Sequence, residues 1–364
     1  MTGKRLLAAF LGASLLLSGC GPAGGSQGAF DASSEENGKL KVAVTLFPYY
    51  DFVRQIAGDQ VDLQMVIPAG MDSHSFEPTP ADIRTIQHAD VLISNGGTME
   101  HWLEDTLGAL DTSNMTIVTM MDYVDTVEEE IVEGMEDAGH DHDHAHSHAA
   151  ADDHDHSHET PEEHAAHAQE TDDHDHSDYV DHDGHEEAIE YDEHIWTSPV
   201  NAMKLVDVIG ETLAEADPAH AEVFRQGAAD YKKELEEIDA GFREVSRNRK
   251  RNMIVMGDKF PFRYLADEYQ LDYRAAFSGC SSDTEPSAKT IAYLIDKVKE
   301  EQIPVVYYLE LSSHRISEII GEETGAEPLL LHSCHNVTRA EFDSGVTYVD
   351  LMKGNIETLR DGLD

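Results

Sequence analysis

The apolar positions of this chain recur with two periods that alternate along its length. From Lys39, "KVAVTLF" reads as a strand, and "YYDFVRQIAG" puts its apolar residues on one helical face before Gly58 ends it. "VDLQMVI" returns to strand character, "TPADIRTIQHA" is a helix opened by a threonine cap and proline, and "DVLISNG" is a strand ending in glycine. "TIVTM" adds a further strand. Such alternation predicts a parallel sheet with helices on both faces and functional loops at the carboxyl ends of the strands.

A second half repeats the scheme. After "HIWTSPVNAMKLVDVIGETLAEA", the run "DPAHAEVFRQGAADYKKELEEIDAGFREVSRN" reads as an aspartate cap and proline opening a helix. At about thirty residues it is long enough to cross a whole domain. "NMIVMG", "LDYRAAF", "PVVYYLE" and "EPLLLH" then follow as strands, separated by the helical runs "FRYLADEY", "SAKTIAYLIDKVKEE" and "SSHRISEIIGEETG". "TYVDLMKGNIETLRDGL" closes as a helix. The expected fold is α/β: two Rossmann-like parallel-sheet lobes joined by one long rigid helix. Residues 39–200 form the N-terminal lobe, 201–249 the linking helices and 250–364 the C-terminal lobe.

The acid–histidine tract from about Glu128 to Glu190 interrupts this pattern. It has almost no aliphatic periodicity and cannot bury enough apolar surface to offset its ordering entropy, so it is expected to be disordered when metal-free. Its fourteen histidines between His140 and His185 include His140, His142, His144, His146, His148, His154, His156, His158, His174 and His176. Repeats such as "HDHDH" offer many equivalent chelates two residues apart, which predicts weak, exchangeable metal capture. The alternative is an acidic loop with no such role.

A formal charge of −48 excludes nucleic acid and anionic membrane surfaces as natural partners and suits a surface that meets cations. The start, "MTGKRLLAAFLGASLLLSGC", has Lys4 and Arg5 before an apolar run from Leu6 to Leu17, too short to span a bilayer comfortably. Leu17-Ser18-Gly19-Cys20 reads as a bacterial lipobox. Residues 1–19 are then a signal peptide, Cys20 carries the lipid, and residues 20–38 form a flexible tether on the extracytoplasmic face of the cell membrane. Cys280 and Cys334 remain. Outside the cytoplasm two such cysteines favour a disulfide, with thiolate ligation of a metal as the lesser reading.

The segment "GMDSHSFEPTPADIRTIQHADVLISNGGTMEHWLEDTL" resembles the first metal-ligand segment of the zinc/manganese-specific substrate-binding lipoproteins of bacterial ABC transporters. "DEHIWTSPVNA" is similar to their second. The long helix, "TEPSAKTIAYLIDKVKEEQIPVVYYLE" and "YVDLMKGNIETL" follow in the family's order, so the resemblance covers nearly all the chain from Lys39. A histidine-rich insertion between the two segments is typical of the zinc members.

The resemblance implies a metal site in the interlobe cleft. His74 in "HSFEP" and His194 in "HIW" match the first two ligands. The family's third ligand, His or Glu, follows the first strand of the second half, where this chain has "VMGDKFPFRYL" and only Asp258 as a hard ligand. Its fourth is usually an aspartate after the last strand, where "LHSCHN" stands instead, so His332 or His335, or both, complete the site. Glu77 is expected behind an imidazole, orienting its N–H. His101 and Trp102 read as ordinary helix and packing residues.

An imidazole-rich site fits Zn2+ better than Mn2+, which prefers more oxygen. The implied protein is a monomeric, lipid-anchored solute-binding protein that captures Zn2+ and delivers it to an ABC permease, and not an enzyme. A manganese or iron carrier of the same architecture and a surface adhesin of the same family are the alternatives.

Overall fold

A computed structural model describes residue 30 and residues 38–135, 190–281 and 285–364. The signal peptide, Cys20 and all the named histidines of the acidic tract lie outside the described residues.

Two four-stranded parallel sheets carry the fold. The first contains β1 (Leu40–Val44), β2 (Val61–Met65), β3 (Val91–Ser94) and β4 (Thr116–Thr119), in the order β2-β1-β3-β4. The second contains β5 (Met253–Phe260), β6 (Asp272–Ser278), β7 (Val305–Tyr308) and β8 (Glu327–Leu330), in the matching order β6-β5-β7-β8. Both orders reverse beside the first strand, and a reversal of that kind opens a crevice at the strands' carboxyl ends.

The N-terminal sheet is flanked by α1 (Phe47–Ala57), α2 (Pro80–Gln87) and α3 (His101–Gly108). Thr79 and Asp82 close a reciprocal capping box at the start of α2, as the threonine–proline pair predicts. Two helices link the lobes, α4 (Pro199–Ala216) and α5 (Ala221–Asn248). The long helix starts later than the Asp-Pro pair predicts. Asp217 ends α4 and turns back to accept hydrogen bonds from Ala219 N–H and the His220 ring, and α5 begins after His220.

Around the second sheet lie α6 (Arg263–Tyr269), α7 (Ala288–Glu301), α8 (Arg315–Thr324), the short α9 (Arg339–Ser344) and α10 (Tyr348–Leu363). The 28-residue α5 packs on α4, α1 and α10, elements of both halves. One large apolar core runs from Val42 through Ile209, Phe224 and Met256 to Leu363, and a smaller one with Val255, Leu294 and Ile320 lies in the C-terminal half. The buried carboxylate of Asp51 on α1 adds a polar tie, accepting hydrogen bonds from Tyr231 Oη at 3.1 Å and Tyr348 N–H at 2.7 Å. A continuous core of this kind, with a stiff connector, opposes wide hinge opening.

Strand β5 runs past Gly257 to Phe260, further than "NMIVMG" suggests. Its register with β6 slips between Met256 and Lys259, so Asp258 sits on an irregularity of a strand and not in a solvated turn. Among the described residues, no helix is long and apolar enough to cross a membrane.

Candidate metal centre

Three loops at the carboxyl ends of strands each deliver one imidazole. His74 lies in a 3-10 turn, Ser73–Ser75, after β2, and the Asp72 side chain caps that turn by accepting His74 N–H at 3.0 Å. His194 immediately precedes a second 3-10 turn, Ile195–Thr197. His335 follows β8 in "LHSCHN". The ring centroids are 5.9 Å apart for His74–His194 and 5.5 Å for each of the other two pairs. One ligand atom from each ring lies within 4.8 Å of the other two.

That spacing suits three nitrogens around one ion. At about 2.0–2.1 Å from a shared zinc, tetrahedral nitrogens stand roughly 3.4 Å apart, so sub-ångström to ångström side-chain shifts close the set. The Nε2 of His74 is buried without a hydrogen-bond partner, an arrangement costly for a polar atom unless a ligand completes it.

The His194 ring and the loop that carries His335 are held by neighbouring polar groups. Asp192 accepts both the His194 backbone N–H at 2.8 Å and its Nδ1 at 3.2 Å, which fixes the ring and directs Nε2 toward the other histidines. The Ser73 hydroxyl touches His335 Nε2. Ser333 Oγ accepts His335 N–H at 3.2 Å, and the Glu310 carboxylate binds both the Ser333 N–H, at 2.8 Å, and its hydroxyl. Asn336 reaches across the cleft, donating to the carbonyls of Pro68 at 2.9 Å and Met71 at 2.8 Å on the loop that leads to His74. Trp196 Nε1 donates to the Ser333 carbonyl at 2.9 Å, tying the His194 turn to the His335 loop.

The other expected ligands take different places. His332 is buried, but its Nδ1 accepts Cys334 N–H at 2.9 Å, and Asn355 holds its backbone N–H and carbonyl. It fastens the loop from inside and stands outside the three-imidazole cluster. Asp258 lines the cleft, yet its oxygens accept Lys259 N–H at 2.9 Å and Leu309 N–H at 3.4 Å. Glu77 is solvent-exposed, and the carboxylate against an imidazole nitrogen is Asp192 instead.

The disulfide expectation is corrected: Cys280 and Cys334 are both free thiols. Cys334 Sγ turns inward to the His332 carbonyl at 3.7 Å, while Cys280 N–H donates to Glu129. His101 is exposed and Trp102 buried on α3, as packing residues.

Asp192, Ser73 and Glu310 are functional candidates that the sequence reading did not single out. Asp192 had a local signal, since an aspartate two residues before a histidine can bond both its backbone and its ring. Glu310 had none, because it acts across 23 residues.

Burial, and then the facing His194 ring, pull the His74 pKa down to about 4. Burial followed by the His194 and His74 rings holds His335 well below its ordinary value. Both are therefore neutral at pH 7, the form a metal requires. Because the folded pKa lies below the unfolded one, this stability is present above pH 6.5 and lost as pH falls toward 4. The metal-free protein should lose unfolding free energy across that window as the His74 ring is forced to protonate. Urea titrations at pH 7 and pH 4.5 check this against His74→Gln, which should lose less over the same interval.

Residues 42–362 match the family model described as zinc-uptake complex component A, periplasmic. The chain belongs to this family. It is 30% identical over 349 residues to the high-affinity zinc uptake system protein ZnuA of Bacillus subtilis, covering 96% of this chain and 94% of that protein. It is 32% identical to the zinc-binding protein AdcA of Streptococcus pyogenes over 89% of this chain but only 56% of that longer protein. Among solved structures, the Zn(II)-bound ZnuA-like domain of Streptococcus pneumoniae AdcA superposes with a TM-score of 0.65 at 26% identity, over 90% of this chain and all of that one. The family is one of substrate-binding components of ABC transporters and not of enzymes.

Proposed function

We propose that this protein captures Zn2+ outside the cytoplasm with His74, His194 and His335 and delivers it to an ABC transporter permease. The carrying observation is the convergence of the three imidazoles, with one nitrogen from each within 4.8 Å of the others, in a chain of the zinc-uptake family. Neutral nitrogen donors favour zinc over manganese, and the nearby carboxylates of Asp258 and Glu310 are already engaged by N–H and O–H donors. The leader pattern supports lipid attachment at Cys20, which keeps the protein close to the permease.

The histidine tract collects zinc weakly and passes it to the cleft. Deleting residues 140–185 should leave one tight zinc equivalent and remove the weaker ones, by titration against a chromophoric chelator. Manganese should fail to compete at equal concentration. Loss of the tight equivalent on deletion would place the principal site in the tract, and preference for manganese would make the protein a manganese carrier.

A further inference from the structure

His194 stands beside a second buried acid. Glu193 is 3% exposed, and its carboxylate reaches the 3-10 turn Thr98–Glu100 between β3 and α3. Its Oε1 accepts the Thr98 N–H and, at 2.8 Å, the Thr98 hydroxyl, while Oε2 accepts Met99 N–H at 2.8 Å. The first N–H groups of a helical turn have no partner inside it, and bonds to a charged acceptor are about twice as strong as neutral ones. Asn95 Nδ2 donates to the Glu193 carbonyl at 3.0 Å, so the loop after β3 holds this residue by side chain and backbone together.

The turn that Glu193 grips leads on to the other two imidazoles. Met99 is buried, and its Sδ lies 3.8 Å from Ser73 Oγ. Ser73 opens the turn that carries His74, and its hydroxyl also meets His335 Nε2. Gly97, directly before the gripped turn, shows how closely the carboxylate approaches. It has a φ of +80°, and a Cβ there would collide with the Glu193 side chain.

We propose that Glu193 is a positioning residue for the metal, pinning the His194 segment to the turn that supports Ser73 and His74. Asp192 orients the His194 ring, and Glu193 fixes the backbone that carries it. Binding sites need their side chains within about 0.5 Å of the productive geometry. The widest of the three separations, 5.9 Å between the His74 and His194 rings, is the one this chain of contacts bridges. The role rests on the zinc reading above and adds to it a residue that never touches the ion.

The test uses the full chain, with zinc affinity read by chelator competition and cleft geometry by the d–d absorption of bound Co2+. The spectrum of the His74→Ala, His194→Ala chain is subtracted to isolate the cleft. Glu193→Ala should weaken the tight zinc equivalent about 10- to 100-fold, the usual effect of losing a group that holds a ligand in place, and should alter the Co2+ spectrum. Gly97→Ala should do the same by displacing the carboxylate. The two together should bind no more weakly than Glu193→Ala alone, because the collision needs both side chains. Val298→Ala, in the smaller C-terminal core, should lower the urea midpoint yet keep the parent affinity and spectrum. Parent-like binding by Glu193→Ala, additive losses in the combined variant, or an affinity that simply follows the urea midpoint across all variants would overturn the positioning role. A parent chain with no cleft spectrum after subtraction would overturn the zinc reading itself.

Discussion

Alanine at both His74 and His194 should abolish the tight zinc equivalent. A structural zinc site in a small peptide is worth about 10–16 kcal/mol across its ligands, so each imidazole carries roughly 3 kcal/mol, or about a hundredfold in affinity. Two losses leave His335 alone in the cleft, with an affinity no better than that of a solvated histidine. The gain in thermal stability on adding zinc should vanish as well, since binding at a thousandfold excess over Kd is worth about 4 kcal/mol. The double variant should still fold, because neither ring is a large apolar member of the core. Chelator competition and a melting curve with and without zinc check both statements. A variant that keeps its zinc-dependent stabilisation would show that the cation sits elsewhere.

Trp196→Ala should produce the largest loss of stability among changes near the site. Trp196 is fully buried, with ring centroids 6.2 Å from Tyr49, 5.5 Å from His194 and 5.4 Å from His335. Removing so large a side chain from a core costs about 3–5 kcal/mol. It also leaves the Ser333 carbonyl without its indole donor. The His194 turn and the His335 loop then lose their common support, so zinc affinity should fall together with stability. Trp196→Phe keeps much of the ring volume but lacks the N–H, and should cost less, about 1–2 kcal/mol. Urea midpoints of the two variants give the comparison. If Trp196→Ala unfolds within 1 kcal/mol of the parent, the indole is not the bracket between the loops described above.

The rigidity of the scaffold bears on release. The core is continuous between the halves, and Asn336 ties the His335 loop to the carbonyls of the loop before His74. The Ser73 hydroxyl also meets His335 Nε2. Both contacts join the two halves of the chain within the metal centre itself.

By itself the sequence determined the alternation of strands and helices, and with it two parallel sheets and a long connector, because apolar periodicity records which face of each element is buried. It also brought out His74 and His194 as candidates, because the runs "HSFEP" and "HIW" around them resemble the family's two ligand segments. Choosing between His332 and His335 was beyond it. Both belong to one short loop, and only the folded chain shows that Cys334 N–H occupies His332 Nδ1 while His335 faces the other two rings. Nor could it show that Asp258 is engaged by the backbone of two strand ends, or that the two cysteines stay apart. These outcomes depend on contacts between residues distant along the chain, whose directions are set when the two sheets pack and not by any local preference.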